Sequence, residues 1–350
     1  MDRPTAMDGN EVDYAAPSAF VEGNEGCYSI DEFEFESGER LRDMKVGFVT
    51  HGRLNAARSN VILVPPGTAN TRHSADGYIG AGNALDPSRD FIIAVDAIGA
   101  GTSSQPADGL GADFPRYTIR DMVRAEQALL TRAFALTQLK AVIGASMGAF
   151  QALEWAIHFP QMVRCAVLMV PASRAGRVFR TVVETATEVI ALDPRWNGGL
   201  YVEQPVAGLR AAGRLYYPWT VTDAYLEQVA PEALEREIAG TVERAAQWDA
   251  WNFIRRYQAS SSHDVSTPFA GNMPAALARV KAPTLVMPAS TDRLLGVETA
   301  REIAAHVIGA TYCEVPSARG HLGWRAVRGA AETRFITQRI NDFLEREATR

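Results

Sequence analysis

Cysteine is scarce in this chain: three residues, Cys27, Cys165 and Cys313, among 350. An odd, scattered set without metal-type spacing excludes a disulfide scaffold and a thiolate zinc site. A reducing cytoplasm is the compartment it points to. Cys165 and Cys313 lie in apolar, strand-like runs and are expected in the core. Long apolar runs are missing as well. None approaches the roughly 20 residues of a bilayer span, so no membrane partner is expected. Residues 1–26 are polar and acidic with no apolar h-region, which excludes a signal peptide and leaves a flexible N-terminal lead-in. Positive charge is short: 35 Lys and Arg against 41 Asp and Glu give a net charge of −6. With no Lys/Arg-rich stretch, a nucleic-acid partner is not expected. No His/Asp/Glu cluster has ligand spacing, so neither a metal nor a cofactor is expected, and no internal repeat is apparent.

What is present is an ordinary globular composition, 47% hydrophobic and 22% charged. The length suits one large α/β domain with an insertion, or two domains. The most informative stretch runs from Val142 to Ala156. An apolar, β-branched run enters Gly144-Ala145-Ser146-Met147-Gly148, and a helical pattern follows at once. That order is the context of a nucleophile elbow, in which a serine sits on a turn so tight that its neighbours two residues away must be small. The turn lifts the Ser146 hydroxyl above the sheet, and the helix N-terminus behind it favours developing negative charge.

The rest of the chain supplies the frame. Phe33 to Val49 alternates around Ser37-Gly38 and reads as an antiparallel hairpin. Val61–Val64, Phe91–Asp96, Ala141–Ile143 and Cys165–Val170 are short, fully apolar runs of the kind buried on both sheet faces. A helix is expected from Thr118, as N-cap, to Leu136. Strands alternating with helices call for a mostly parallel, doubly wound sheet whose functional loops gather at the strands' carboxyl ends. The rhythm breaks over residues 172–277, a stretch of helical composition rich in aromatics and arginines, read as a helical cap inserted into a core of residues 27–171 and 278–350. Strands then resume at Thr284–Met287 and Ala310–Val315, with helices over Val297–Val307 and Ala330–Arg346.

A serine hydroxyl needs a base, and the base a carboxylate to orient it. In the elbow-bearing fold the chain order is serine, acid, histidine. Asp292, five residues past Met287, and His321, in the loop after Val315, occupy the two loops that order requires. Gly320 would let the backbone turn the imidazole toward Ser146. The oxyanion needs two backbone N–H donors. Met147 supplies one; Pro66 has none to give, so the second is Gly67 or Thr68, and Gly67 permits the closer approach. Of the other histidines only His73, after the first parallel strand, could line the pocket.

Several long stretches carry a resemblance that spans nearly the whole chain: Gly47–Asn55, Gly80–Asp86, Phe114–Arg124, Gly144–Ala156 and Asp193–Gly199. The chain resembles the homoserine O-acetyltransferase family, which implies an α/β-hydrolase fold. The resemblance implies ping-pong chemistry, in which serine takes an acetyl group from acetyl-CoA and passes it to an amino-acid hydroxyl. It also implies a tunnel to the serine and a homodimer formed through the cap helices, and it supports Ser146, Asp292 and His321 as a triad. Two departures matter. Members carry an Asp after the catalytic histidine to hold the substrate amino group; here that residue is Leu322. Their cap arginine, which grips the substrate carboxylate, aligns with Gly213, and Arg214 stands one residue on, about 100° around a helix. Leaving a buried ammonium without its partner costs on the order of 3–5 kcal/mol, which disfavours homoserine as acceptor.

The pocket is therefore expected to be apolar, with Thr68, Arg214, Tyr217 and Leu322 as candidate substrate-binding residues and Tyr216, Trp219 and Trp324 as further walls. The favoured function is a serine hydrolase cleaving small acetyl-type esters through an acyl-enzyme on Ser146. The alternative is an O-acyltransferase from acyl-CoA to a hydroxyl acceptor other than homoserine. A non-catalytic binding protein on the same scaffold is the third reading.

Overall fold

The apolar runs of the sequence become the middle of one eight-stranded sheet. The computed structural model describes residues 22–348, so most of the lead-in expected over residues 1–26 lies outside the described residues. Strands β1 (Asn24–Glu34) and β2 (Arg40–His51) form the opening antiparallel hairpin, which begins inside that expected lead-in. They are followed by β3 (Val61–Val64), β4 (Phe91–Val95), β5 (Ala141–Ala145), β6 (Ala166–Met169), β7 (Thr284–Met287) and β8 (Thr311–Tyr312). The order across the sheet is β1-β2-β4-β3-β5-β6-β7-β8, antiparallel at the first two pairings and parallel at the rest. Residues of β3 and β5 to β7 are buried throughout, as strands covered by helices on both faces must be. The sheet is thus mostly parallel and doubly wound.

Helices α1 (Ile119–Ala128) and α2 (Met147–His158) cover the core. Thr118 caps α1 as expected, accepting from the Asp121 N–H while Asp121 accepts from the Thr118 N–H. The helix ends eight residues before Leu136, giving way to a π turn over Leu129–Ala133. There the Thr131 hydroxyl donates to the Gln127 carbonyl at 2.8 Å, a back-bond that competes with the helical ladder. The last strand is shorter than Ala310–Val315. Its ladder with β7 is interrupted at Pro288, which has no N–H to donate, and pairing resumes as a single bridge between Ala289 and Val315. Cys313 beside that break is only half-buried, whereas Cys165 is in the core.

Six helices intervene between β6 and β7: α3 (Arg177–Ala191), α4 (Val206–Thr220), α5 (Asp223–Gln228), α6 (Pro231–Ala246), α7 (Ala250–Ser261) and α8 (Met273–Leu277). Helix α4 packs against α3 and α6, and α7 packs against α3. Helices α9 (Glu298–His306) and α10 (Ala331–Ala348) complete the fold. Among the described residues no helix is long and apolar enough to cross a membrane.

The packing of α1 on α2 buries a carboxyl group. Glu126 Oε2 accepts the Trp155 indole N–H at 2.7 Å, while Oε1 has no partner. Burial pushes this carboxyl up to about 8. Because the folded state holds the proton more tightly than the unfolded chain, this group's contribution to stability is complete below about pH 4.5 and is lost as pH rises through 8. Denaturant midpoints of the wild type minus those of Glu126→Gln should therefore fall between pH 5 and 9, with both ends about as the linkage requires. A pH-independent difference would show that Glu126 is ionised in the fold.

Candidate active site

Four loops meet at the carboxyl edge of the sheet, after β3, β5, β7 and β8. The turn after β5 is the tightest. Ser146 has φ +56° and ψ −123°, a conformation unfavourable for a residue with a side chain. Its neighbours must make way. A Cβ on Gly144 would lie 2.0 Å from the Gly148 carbonyl oxygen, and one on Gly148 would lie 2.4 Å from the Pro65 carbonyl oxygen. Both contacts are with backbone, which cannot swing aside. The turn is anchored by the Ser146 N–H donating to the Met169 carbonyl on β6 at 3.0 Å.

This turn presents the Ser146 hydroxyl to His321. Nε2 of His321 lies 2.9 Å from Ser146 Oγ, and Nδ1 lies 2.8 Å from Asp292 Oδ2. A carboxylate can only accept, so Nδ1 carries the proton and Nε2 is left to accept from the serine. The other Asp292 oxygen accepts the backbone N–H groups of Leu294 at 2.9 Å and Leu295 at 3.1 Å, which fixes the carboxylate's orientation. Asp292 and His321 are buried and Ser146 is half-buried. Gly320 has φ +55°, and the Thr220 carbonyl oxygen lies 3.2 Å from where a Cβ would stand. Serine, imidazole and carboxylate thus form one line of hydrogen bonds, the arrangement that lets a base take a hydroxyl proton as the oxygen attacks.

The loop after β3 faces the serine from the other side. Gly67 packs beside the elbow, a Cβ there being 3.9 Å from the Ser146 Cβ. Two side chains hold its peptide planes. Gln151 Nε2 on α2 donates to the Pro66 carbonyl at 3.0 Å, which turns the Gly67 N–H the opposite way. Arg256 on α7 donates to the Gly67 carbonyl at 3.1 Å, to Asn70 at 2.7 Å and to Ala97 at 3.3 Å, which does the same for the Thr68 N–H. Met147 opens α2, so its N–H is free of the helical ladder. Neither Arg256 nor Gln151 was expected from the sequence; both sit within helical patterns that give no sign of a loop partner.

A cavity of about 130 Å³ opens onto Ser146 and His321. Thr68, Tyr217, Leu322, Tyr216 and Trp324 line it, as expected. The Thr68 hydroxyl is within 3.0 Å of the Ser260 hydroxyl, and Tyr217 donates to the buried Glu237 at 2.8 Å, so Tyr217 offers the cavity a ring rather than a hydroxyl. Two expectations are corrected. Arg214 is exposed and does not line the cavity; one step around α4, it is Gly213 that faces inward, against Ala245 of α6. Trp219 is 38% exposed and stacks its ring under Arg293 instead. His73 lies outside as well, beside a neighbouring cleft, hydrogen-bonded to Asp76 at 3.1 Å.

The walls also contain what the sequence did not suggest. Trp248, Phe253 and Tyr257 complete the aromatic lining, and two arginines, Arg244 and Arg325, join it. Arg325 stands four residues after His321 at the end of the Gly320–Trp324 turn, a spacing that could have flagged it. Among the described residues no group of three or more His, Cys, Asp or Glu side chains is placed to hold a metal ion.

The comparisons with known proteins agree with this architecture. The model of the alpha/beta hydrolase fold family matches residues 60–323. The chain is 32% identical over 325 residues to the ethyl acetate hydrolase of Pseudomonas veronii, across 87% of this chain and 92% of that protein. It is 34% identical over 331 residues to the homoserine O-acetyltransferase of Thermobifida fusca, across 83% and 86%. Among solved structures, an acetylester hydrolase from Corynebacterium glutamicum superposes with a TM-score of 0.86 at 30% identity, covering 92% of this chain and 96% of that one.

The tightness of the elbow is testable. Gly144→Ala forces a methyl against the Gly148 carbonyl, and overpacking of this kind destabilises by about 1–3 kcal/mol or more. Urea unfolding should show that loss together with a displaced Ser146; a variant as stable and as reactive as the wild type would contradict the geometry described.

Proposed function

The chain belongs to the alpha/beta hydrolase fold family, and on that premise we propose that it is a serine hydrolase of small acetyl-type esters. Ser146 is the nucleophile, His321 the general base and then acid, and Asp292 the group that orients and stabilises the imidazolium. The hydrogen-bonded line from Asp292 through His321 to Ser146, at the mouth of a small cavity, carries the reading. Ser146 attacks the ester carbonyl and its proton passes to His321. The Met147 N–H and that of Gly67 stabilise the oxyanion. His321 then protonates the leaving alkoxide, and water, activated by the same imidazole, releases the acid from the acyl-enzyme. Water is the default second nucleophile because Leu322 cannot hold an amino-acid ammonium. The likenesses to an ethyl acetate hydrolase and an acetylester hydrolase support hydrolysis.

The likeness to a homoserine O-acetyltransferase favours a second reading, acyl transfer from acyl-CoA to another hydroxyl acceptor. Partition separates the two. With an acetyl ester in buffer, free acetate should form at a rate that added alcohols change little; turnover that requires an added alcohol would decide for transfer. Ser146→Ala should abolish both hydrolysis and labelling by a fluorophosphonate, and Asp292→Asn should lower kcat on the order of 10³–10⁴-fold. Unimpaired hydrolysis in either variant would remove the proposed triad.

We also propose that two copies pair through the helical region between β6 and β7. There Leu192, Leu200 and Val202 are 81%, 73% and 100% exposed, which supports an apolar contact. Light scattering should give twice the chain mass, reduced by Leu200→Glu with Val202→Glu; a monomer at all concentrations would refute it.

A further inference from the structure

The cavity at Ser146 has an unbalanced charge. Arg244 and Arg325 both line it, and no aspartate or glutamate does. Arg244 donates to the Thr241 hydroxyl at 2.9 Å, a neutral partner. The Arg325 side chain makes no hydrogen bond or ion pair among the described residues, although its backbone N–H is bonded within its own turn. Arg325 is half-buried in this wall among tyrosine, tryptophan and phenylalanine rings and has gained no acceptor from the protein. Burial and the neighbouring Arg244 and Arg319 push its guanidinium down to about 10, which still leaves it charged at neutral pH. Glu237, the carboxylate whose charge acts on it, makes no ion pair with it among the described residues and accepts instead from the hydroxyls of Tyr217 and Tyr225. The guanidinium N–H groups are therefore open to an acceptor on a ligand.

The chain's own geometry says which part of the ligand bears that charge. His321 protonates the departing alkoxide, so the alcohol half of an ester lies on the His321 side of the serine. The turn Gly320–Trp324 that carries His321 also carries Leu322 and leads directly into Arg325. We propose that the preferred substrate is an acetyl-type ester whose alcohol half carries a carboxylate, an O-acylated hydroxy acid, and that Arg325 binds that carboxylate. The proposal rests on the hydrolase reading above and narrows its substrate. An amino acid is disfavoured as the alcohol half, because a lining with two arginines and no acid repels an ammonium as it attracts a carboxylate. The cavity of about 130 Å³ suits a short hydroxy acid.

Arg244 has a second place in this scheme. It lines both the inner cavity and the wider cleft beside it, as do Asn70 and Trp248, so it stands where the two adjoin. A cation at that junction raises the local concentration of anionic substrates and falls in effect with salt.

The test compares two esters of equal size, 3-acetoxypropanoate and 3-acetoxypropanamide, on the full chain. The wild type should hydrolyse the anionic ester with a kcat/KM about 10- to 100-fold above the neutral one, the range a charge-assisted hydrogen bond supports. In Arg325→Met that ratio should collapse, mainly through KM, and Arg325→Lys should restore part of it. A second measurement needs no variant: 3-hydroxypropanoate should inhibit the wild type competitively where 3-hydroxypropanamide does not. Hydrolysis of both esters at equal kcat/KM, or a ratio that Arg325→Met leaves intact, would overturn the carboxylate site while leaving the hydrolase reading standing. No hydrolysis of either ester, with Ser146 unlabelled by a fluorophosphonate, would overturn both.

Discussion

A residue with a side chain does not rest at φ +56° by preference, and Ser146 is held there by its neighbours on every side. Gly144 and Gly148 close the turn so tightly that neither tolerates a Cβ, and the serine N–H is tied to β6. Strain of this kind costs about 1–3 kcal/mol, which the buried strands on either side must offset. What the strain secures is direction. It aims one hydroxyl at His321 and leaves the N–H of Met147 pointing out of a helix start.

The rest of the site is arranged around that fixed point by hydrogen bonds from a distance. Asp292 is pinned by two backbone N–H groups, so the imidazole it holds has one tautomer and one orientation. The loop of Gly67 is held from below by Gln151 and from above by Arg256. Because Arg256 comes from α7, the helices between β6 and β7 do more than line the cavity. They complete the backbone geometry that faces the serine, and motion of α7 would be felt at Gly67.

Much of this was legible in the sequence, for a physical reason. Parallel strands are short apolar runs, and loops at their carboxyl ends have fixed places, so the positions of Ser146, Asp292 and His321 along the chain already implied neighbouring loops. Local competition was harder to read: Thr131 unwinding the end of α1 and Pro288 breaking the β7–β8 ladder are single side chains overriding a good pattern. Hardest were the helices between β6 and β7. Amphipathic helices reveal a buried stripe but not its rotation against a neighbour, so Arg214 and Gly213 exchanged places by one residue, and Trp219 turned outward. Arg244 gave no sign in the sequence, because nothing near it along the chain shows that it joins Arg325 at one cavity, whereas the spacing of Arg325 from His321 was the one available signal.

The walls of that cavity join two tendencies in one space. Aromatic rings and Leu322 give a largely apolar lining with no acid to hold an ammonium, while two arginines give it a positive field. The direct measurement of the central claim is rapid-quench mass spectrometry of the intact protein mixed with an acetyl ester in buffer alone. The account predicts one acetyl group, localised to the peptide containing Ser146, that forms and then decays to free acetate without an added acceptor. An acetyl group on any other residue, or acetate release with no acylated protein and no loss in Ser146→Ala, would contradict it.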